Sequence, residues 1–491
     1  MSSHLPIIQV LLPLFGAAFC LLIRHRLICH VFASLVGIGS VLVSLQLLAM
    51  AQVGGVEPYH LGGWAPPLGI EFQVNTFNAY VLVIVSMIAA VVIPFGLGYR
   101  DPCFPEKQEY LLFAAILLCL TGLLGIAITG DAFNVFVFLE ISSLSSYAII
   151  AMGRSRRAIR AAFDYLLMGT IGGTFILIGI GMLYLVTGTL NMADIADRIQ
   201  PVIGSRTVIV AFAFLTLGIS MKLAVFPLHQ WLPNAYAYAP TMVSAFLSAT
   251  ATKVQFYLLA RVVYTVFGAA YVFGLLKMQI LLLPLSLAAM FIGSMAAIYQ
   301  TNIKKLFAYS SVAQIGYMTL GLSINTLDGL TGSILHLFNH ALMKGGLFLV
   351  VACFAFSAKG NCIADLRGLG RKMPFTSAAF VIGGLSLIGV PGSVGFVSKW
   401  YLVIGALERD FLFVAGLILL SSLLAVVYIW RVIEVLFVQA SDSEKVASEA
   451  PVSMLVPAWI LIGSSIYFGI KASWSAEIAK AAANWLMGGG V

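Results

Sequence analysis

Long apolar runs, separated by short polar or basic connections, occupy almost the whole chain. A helix needs about 20 apolar residues to cross the hydrocarbon of a bilayer. Lipid supplies no water for unpaired backbone groups, so runs of that length are helical. The pattern predicts about fourteen spans, at 5–23, 28–50, 75–98, 109–129, 132–152, 160–186, 206–228, 240–263, 274–299, 305–324, 329–356, 376–403, 411–437 and 453–472. The short alternating segments of a membrane barrel are absent. Residues 1–23 lack a basic leading region and a small-residue cleavage site, so they read as the first span and not as a signal peptide.

Composition agrees with this pattern. Of 491 residues, 61% are hydrophobic and only 9% charged, against about 25% charged in soluble domains. The net charge of +8 does not indicate nucleic acid, because the bases gather in alternate loops. Arg24 and Arg26, Arg100 and Lys107, Arg154 to Arg160, Lys304 and Lys305, and the group from Lys359 to Lys372 fall on one side. The other side has base-poor connections such as 51–74. The positive-inside rule then places the basic loops in the cytoplasm and both termini outside, in a multi-pass protein of the cell inner membrane. Residues 190–204 are polar enough to lie along the surface. The six cysteines have no CxxC spacing, which argues against an iron–sulfur or zinc site.

Helix breakers interrupt two spans. The seventh carries Gly218 and Pro227 on either side of Lys222, and the twelfth carries Gly389, Pro391, Gly392 and Gly395 before Lys399. Proline inside a helix removes a hydrogen bond and clashes with the preceding turn, so each span should break near the midplane beside a lysine. Broken helices at corresponding places in two halves point to inverted repeats. The expected organisation is an all-α polytopic membrane protein. Residues 1–108 form spans 1–3, 109–263 and 274–437 two inverted five-helix units, and 438–491 a loop and the last span. The competing explanation is that Pro and Gly are simply common in membrane helices.

Charge inside the spans changes the picture further. Lys222, Lys253, Lys344, Lys399 and Glu140 sit at depth; at roughly 3 kcal/mol each, their insertion cost is on the order of 15 kcal/mol. Burial weakens a lysine's hold on its proton, and an adjacent carboxylate restores it. A Lys222–Glu140 pair is therefore an adjustable proton site, where about a thousand-fold change in proton affinity corresponds to about 4 kcal/mol. The alternative is a static ion pair that fixes helix packing. His336, His340 and Lys344 follow i, i+4, i+8 spacing and share one helix face, suiting a proton relay. Metal ligation by the histidine pair and hydrogen-bonded core histidines are the alternatives. His229, after Pro227, is a candidate for admitting protons at the cytoplasmic end, or belongs to an interfacial belt. Ser142, Ser143, Ser145 and Ser146 are placed to bond Glu140, hold water or pack closely. Asp131 and Asp164 read as solvated helix ends, Lys304 and Lys305 as loop anchors, and Glu434 as a partner of Arg431 one turn away.

These residues carry a resemblance. The stretch from Lys222 through Pro227, His229, Trp231, Pro233, Tyr236, Pro240 and Thr241 to Lys253 resembles the antiporter-like subunits shared by respiratory complex I, membrane-bound hydrogenases and Mrp-type sodium/proton antiporters. So do the segments Phe138 to Tyr147, Lys304 to Tyr317 and Gly395 to Lys399, and the likeness covers nearly the whole chain. It implies fourteen helices in two inverted five-helix repeats. It also implies Glu140 and Lys222 as a coupling ion pair, Lys253 as a central lysine, and His336 and His340 leading to Lys399. Within the family the likeness runs to the Mrp D type: no long lateral helix follows span fourteen, and Lys399 replaces the glutamate usual in the complex I M subunit. Tyr236 and Tyr238 depart from the more polar residues common there.

The expected function is proton translocation within a multi-subunit membrane complex, with H⁺ and either Na⁺ or K⁺ as cargo and other antiporter or respiratory subunits as partners. No cofactor, nucleotide or metal motif is visible, and no catalytic chemistry of the chain's own. The alternatives are a proton-pumping subunit of a quinone oxidoreductase or hydrogenase, a quinone-binding redox subunit, and a scaffold with idle charges.

Overall fold

The computed structural model describes residues 4–98, 108–153, 155–358, 360–439 and 448–488. Arg100, Lys107, Arg154 and Lys359, counted above among the basic loops, lie outside the described residues. Helices α1 (Leu5–Ile23) and α2 (Arg26–Val53) turn at Arg24. The connection after α2, base-poor in the sequence, forms an antiparallel hairpin of β1 (Val56–His60) and β2 (Glu71–Val74). Helix α3 (Thr76–Phe95) starts at a reciprocal cap between Asn75 and Asn78, which satisfies two otherwise orphaned donors. Helix α4 (Glu109–Ile128) leads to α5 (Ala132–Ala151), capped by the Asp131 carboxylate accepting from Asn134 N at 2.7 Å. Helix α6 (Arg156–Thr187) is capped by Ser155.

The short α7 (Met192–Arg198) buries Met192 and Ile195 and pairs Asp194 with Arg198 at 2.7 Å on its outer side. This is the surface segment that residues 190–204 suggested. Next come α8 (Arg206–Leu223), α9 (Trp231–Tyr238) and α10 (Thr241–Arg261). Two short π-helical stretches precede α11 (Gln279–Ile298), followed by α12 (Ile303–Ile324) and α13 (Leu327–Ala358). The chain continues through α14 (Leu369–Lys372), α15 (Pro374–Ile388), α16 (Val394–Leu407), α17 (Leu412–Phe437), α18 (Val452–Ile470) and α19 (Ser473–Leu486).

Among the described residues, eleven helices are long and apolar enough to cross a membrane, with α15 and α16 as shorter apolar helices. Helices α10 and α12 have 21 and 22 residues, a spanning length. The protein is a polytopic all-α membrane protein. Helix α13 runs 32 residues without a break and is enclosed on most sides, packed by α3, α10, α12, α15, α16, α18 and α19. Helices α1, α2 and α6 each turn one face to the outside, with Leu42, Phe163 and Leu185 among the exposed apolar residues, as lipid-facing helices do.

Sequence reasoning missed α19. It is amphipathic, burying Ala476, Ile478, Ala479, Ala482 and Ala483 against α13 and α3. Its small apolar residues are too few for a span, yet they allow a close approach to the bundle.

Candidate functional site

Each of the two predicted breaks ends a helix at a left-handed residue. Helix α8 stops at Ala224 (φ 63°), whose N–H donates to Met221 O while Val225 N donates to Ser220 O. Helix α15 stops at Gly389 (φ 92°), bonded to Leu385 O and Ser386 O. Both ends leave backbone carbonyls pointing into the bundle, where the helix dipole favours a cation.

Lys222 occupies the last turn of α8. Its Nζ donates to Glu140 Oε1 at 3.0 Å and to Ser143 Oγ at 2.8 Å. The lysine is 3% exposed, whereas the Glu140 side chain keeps 24% exposure. Ser142, Ser145 and Ser146 bond carbonyls of their own helix instead. Room for the pair comes from α6. A Cβ on Gly173 would stand 2.5 Å from Glu140 Oε1, so only glycine fits without moving the carboxylate.

At the second break Lys399, one turn into α16, reaches back across the gap. Its Nζ donates to Ile388 O at 2.8 Å and Leu387 O at 3.3 Å, and sits 4.8 Å from the Tyr317 ring centroid. A Cβ on Gly389 would lie 3.1 Å from Lys399 Cδ, so this glycine serves both the positive φ and the passage of the lysine. A cleft of about 540 Å³ opens beside this break between residues 388–391 and α17, including Gly416 and Ser422.

Lys253, His336, His340 and Lys344 are completely buried between the breaks. Lys253 Nζ donates to Ser248 O and to Thr252 Oγ1, the latter at 3.4 Å. His336 is held on both sides, by Ser398 Oγ at Nδ1 (2.8 Å) and Gln314 Oε1 at Nε2 (3.0 Å). With both nitrogens engaged, it is not presented with His340 for joint metal ligation. The two imidazoles are nearly parallel, their centroids 5.8 Å apart. His340 has no protein partner at either nitrogen, and it interacts electrostatically with Lys253, Lys344 and His336. Lys344 Nζ donates to Phe307 O at 2.9 Å and to Ser310 Oγ. The structure therefore places Lys253, His336, His340 and Lys344 in one cluster, and Ser398, the residue before Lys399, is bonded to its His336.

No direct bond joins Lys222 to Lys253. Between them stands an aromatic column that sequence reasoning missed. Tyr147 meets Tyr165 edge-on at 4.7 Å, Tyr165 stacks on Trp231 at 3.8 Å, and Trp231 faces Tyr236 at 6.5 Å. Trp231 Nε1 donates to Met221 O at 2.9 Å, tying the column to the turn that carries Lys222. His229 is half-buried in the first break, stacked on Phe226 at 5.3 Å.

Three sequence expectations are corrected. Asp131 is 7% exposed, not solvated, because β2 and α7 pack over the α4–α5 turn; burial beside Glu71 pushes its carboxyl above the usual range. Lys304 does more than anchor a loop: it is 2% exposed and donates to Ala239 O at 2.5 Å. Arg431 reaches the exposed carbonyls of Ile298 and Gln300 at the end of α11 instead of pairing with Glu434, which is exposed.

Residues 129–425 match the family described as NADH:quinone oxidoreductase/Mrp antiporter, TM. A protein of Desulforudis audaxviator (strain MP104C) named NADH-quinone oxidoreductase subunit N is 39% identical, over 94% of this chain and 94% of its own length. The D-type subunit of a Na(+)/H(+) antiporter of Bacillus subtilis (strain 168) is 29% identical, over 99% and 97%. Among solved structures, a chain of the membrane-bound sulfane sulfur reductase, an archaeal respiratory membrane complex, superimposes with a TM-score of 0.90 at 28% identity, covering 99% of this chain and 98% of that one. A chain of the Mrp complex from Dietzia sp. DQ12-45-1b has the same fold, with a TM-score of 0.88 at 24% identity over 99% and 97%.

Proposed function

The chain belongs to the NADH:quinone oxidoreductase/Mrp antiporter membrane-subunit family, and from that premise we propose that it moves protons along a buried axis from Lys222 to Lys399. The observation that carries this reading is the Lys222–Glu140 contact of 3.0 Å at the end of the first broken helix. An ion pair at that depth is expensive, and its geometry makes Glu140 the group that sets whether Lys222 holds its proton. A proton passes from Lys222 to Lys253, then through His340 and His336, and leaves from Lys399. Water bridges the gaps, and the unpartnered His340 nitrogens are polar enough to hold it. His229 admits protons at the first break, and Lys344 is a secondary member of the central cluster.

The relay works inside an assembly of membrane subunits. Phe133, Val137 and Leu144 form an exposed apolar stripe interrupted by the partly exposed Glu140 carboxylate. Lipid covers such a carboxylate poorly, and another subunit covers it well. The cargo is H⁺ exchanged for Na⁺ or K⁺, in the plasma membrane, with basic loops in the cytoplasm and both termini outside. Residues 109–263 and 274–437 form the inverted units, supported by the matching breaks at Ala224 and Gly389.

The test is proton-coupled cation transport in everted vesicles with the complex assembled. Lys222→Ala and Glu140→Ala should each abolish it. Full transport in either variant overturns the reading. A second reading follows from the 39% identical relative named NADH-quinone oxidoreductase subunit N: the same axis would be driven by a redox reaction in partner subunits. Proton movement that requires quinone reduction and no counter-cation favours this second reading.

A further inference from the structure

A cavity of about 200 Å³ lies at the basic end of the bundle, away from the proton axis. Arg157, Arg160, Ala161 and Asp164 of α6 line it together with Asn234 and Tyr238 of α9. The Arg157 guanidinium stands 5.9 Å from the Tyr238 ring centroid. Among the described residues, no ion pair within 4 Å joins Asp164 to either arginine, and two arginines against one carboxylate leave the cavity one positive charge in excess. Asn234 and Tyr238 add hydrogen-bonding groups, giving the cavity the chemistry of a phosphate binder.

The surface beyond the cavity is apolar. Arg160, Phe163, Leu167 and Ile171 follow i, i+3, i+7, i+11 spacing, and so share a face of α6. Phe163, Leu167 and Ile171 are 55%, 46% and 45% exposed. A cationic cavity at the head of an apolar stripe running along a spanning helix matches an amphiphile with an anionic head and a hydrocarbon tail. We propose that this is a binding site for an anionic glycerophospholipid, its phosphate between Arg157 and Arg160 and one acyl chain along Phe163 and Leu167.

The site reaches the transport machinery through α9. This helix is the far half of the first broken span, and its Trp231 both stacks on Tyr165 of α6 and bonds Met221 O beside Lys222. A headgroup bound to α6 and α9 together holds those helices in register. Occupancy therefore favours the arrangement in which Lys222 meets Glu140. This regulatory consequence rests on the proposed proton axis; the binding does not.

The test separates the two. The intact complex is purified with its lipids, and retained phosphatidylglycerol and phosphatidylethanolamine are compared by native mass spectrometry. The wild type should retain phosphatidylglycerol selectively. Arg157→Gln/Arg160→Gln should bind it about thirty-fold more weakly, the factor expected for two juxtamembrane cations. Arg160→Gln alone should fall between, and serves if the double variant assembles poorly. Equal retention by wild type and variants overturns the site. A photoreactive group at Phe163 should label lipid; labelling of a neighbouring subunit instead overturns it too. Transport is then measured in vesicles of phosphatidylethanolamine with and without phosphatidylglycerol. The wild type should speed up with phosphatidylglycerol and the double variant should not. Lipid-indifferent transport despite selective binding leaves the site standing and overturns its regulatory role.

Discussion

Gly173 of α6 stands so close to Glu140 of α5 that a Cβ on it would lie 2.5 Å from the carboxylate oxygen bonded to Lys222. The same Cβ would be 3.7 Å from Lys222 Cε. One methyl group at this point therefore displaces the acid but hardly touches the base. Gly173→Ala should push Glu140 away from Lys222 and lower proton-coupled transport about ten-fold or more, the effect of about 1.4 kcal/mol. Vesicle transport, normalised to assembled complex, measures it. Unchanged transport would mean that the ion-pair geometry does not limit turnover.

The two histidines of α13 should respond differently to substitution. His336 satisfies Gln314 and Ser398, so His336→Leu strands two buried partners and should cost about 1–3 kcal/mol of stability. His340 satisfies no protein group, so His340→Leu should leave thermal stability equal or higher. Both should depress transport. Melting curves of the purified complex, read beside transport, check the contrast, which a purely structural role for His340 cannot produce.

Lys399 is held by backbone carbonyls and an aromatic face, not by a carboxylate. Tyr317→Leu removes the ring, a contact worth about 0.5–2 kcal/mol, and should change transport by about two- to thirty-fold while the helices stay packed. Gly389→Val should be more severe, because it imposes both a side chain at φ 92° and a clash with Lys399. Transport assays on the two variants should rank them in that order.

Asp131 gives a pH signature outside the spans. Burial, with Glu71 adding to it, raises its carboxyl above the ordinary value. The native state then holds this proton more tightly than the unfolded state, so its contribution to stability falls as pH rises from the ordinary Asp range through the raised value. Asp131→Asn keeps an acceptor for the α5 cap and removes the penalty. The variant should melt higher than the wild type at pH 8, and the gap should close in acid. A gap independent of pH would show that the carboxyl is not the source.

Charge in apolar runs was the legible signal. Glu140, Lys222, Lys253 and Lys399 stand out because nothing about crossing a bilayer requires them, and Pro227 and Gly389 mark the breaks by backbone chemistry alone. In the structure Glu140 lies 3.0 Å from Lys222. Asp131, Lys304, Gly173 and Tyr165 were not legible in the same way. Their significance lies in what packs against them across the bundle, and a local pattern carries no record of that. Asp131 looked like a solvated helix end because the β2 strand and α7 that cover it are distant in sequence. Helix α19 escaped for the opposite reason: its alanines are too weakly hydrophobic to announce a buried face.

The unbroken α13 has a mechanical consequence. At 1.5 Å per residue its 32 residues make a rod of roughly 48 Å, longer than the hydrocarbon and clamped by neighbours on nearly every side. His336, His340 and Lys344 are therefore carried on one continuous helix, which fixes their spacing along it. The flanking lysines are mounted beside joints, at Ala224 and Gly389. On the proposed proton axis, gating would then belong to the two jointed ends, with this rod as the fixed middle between them.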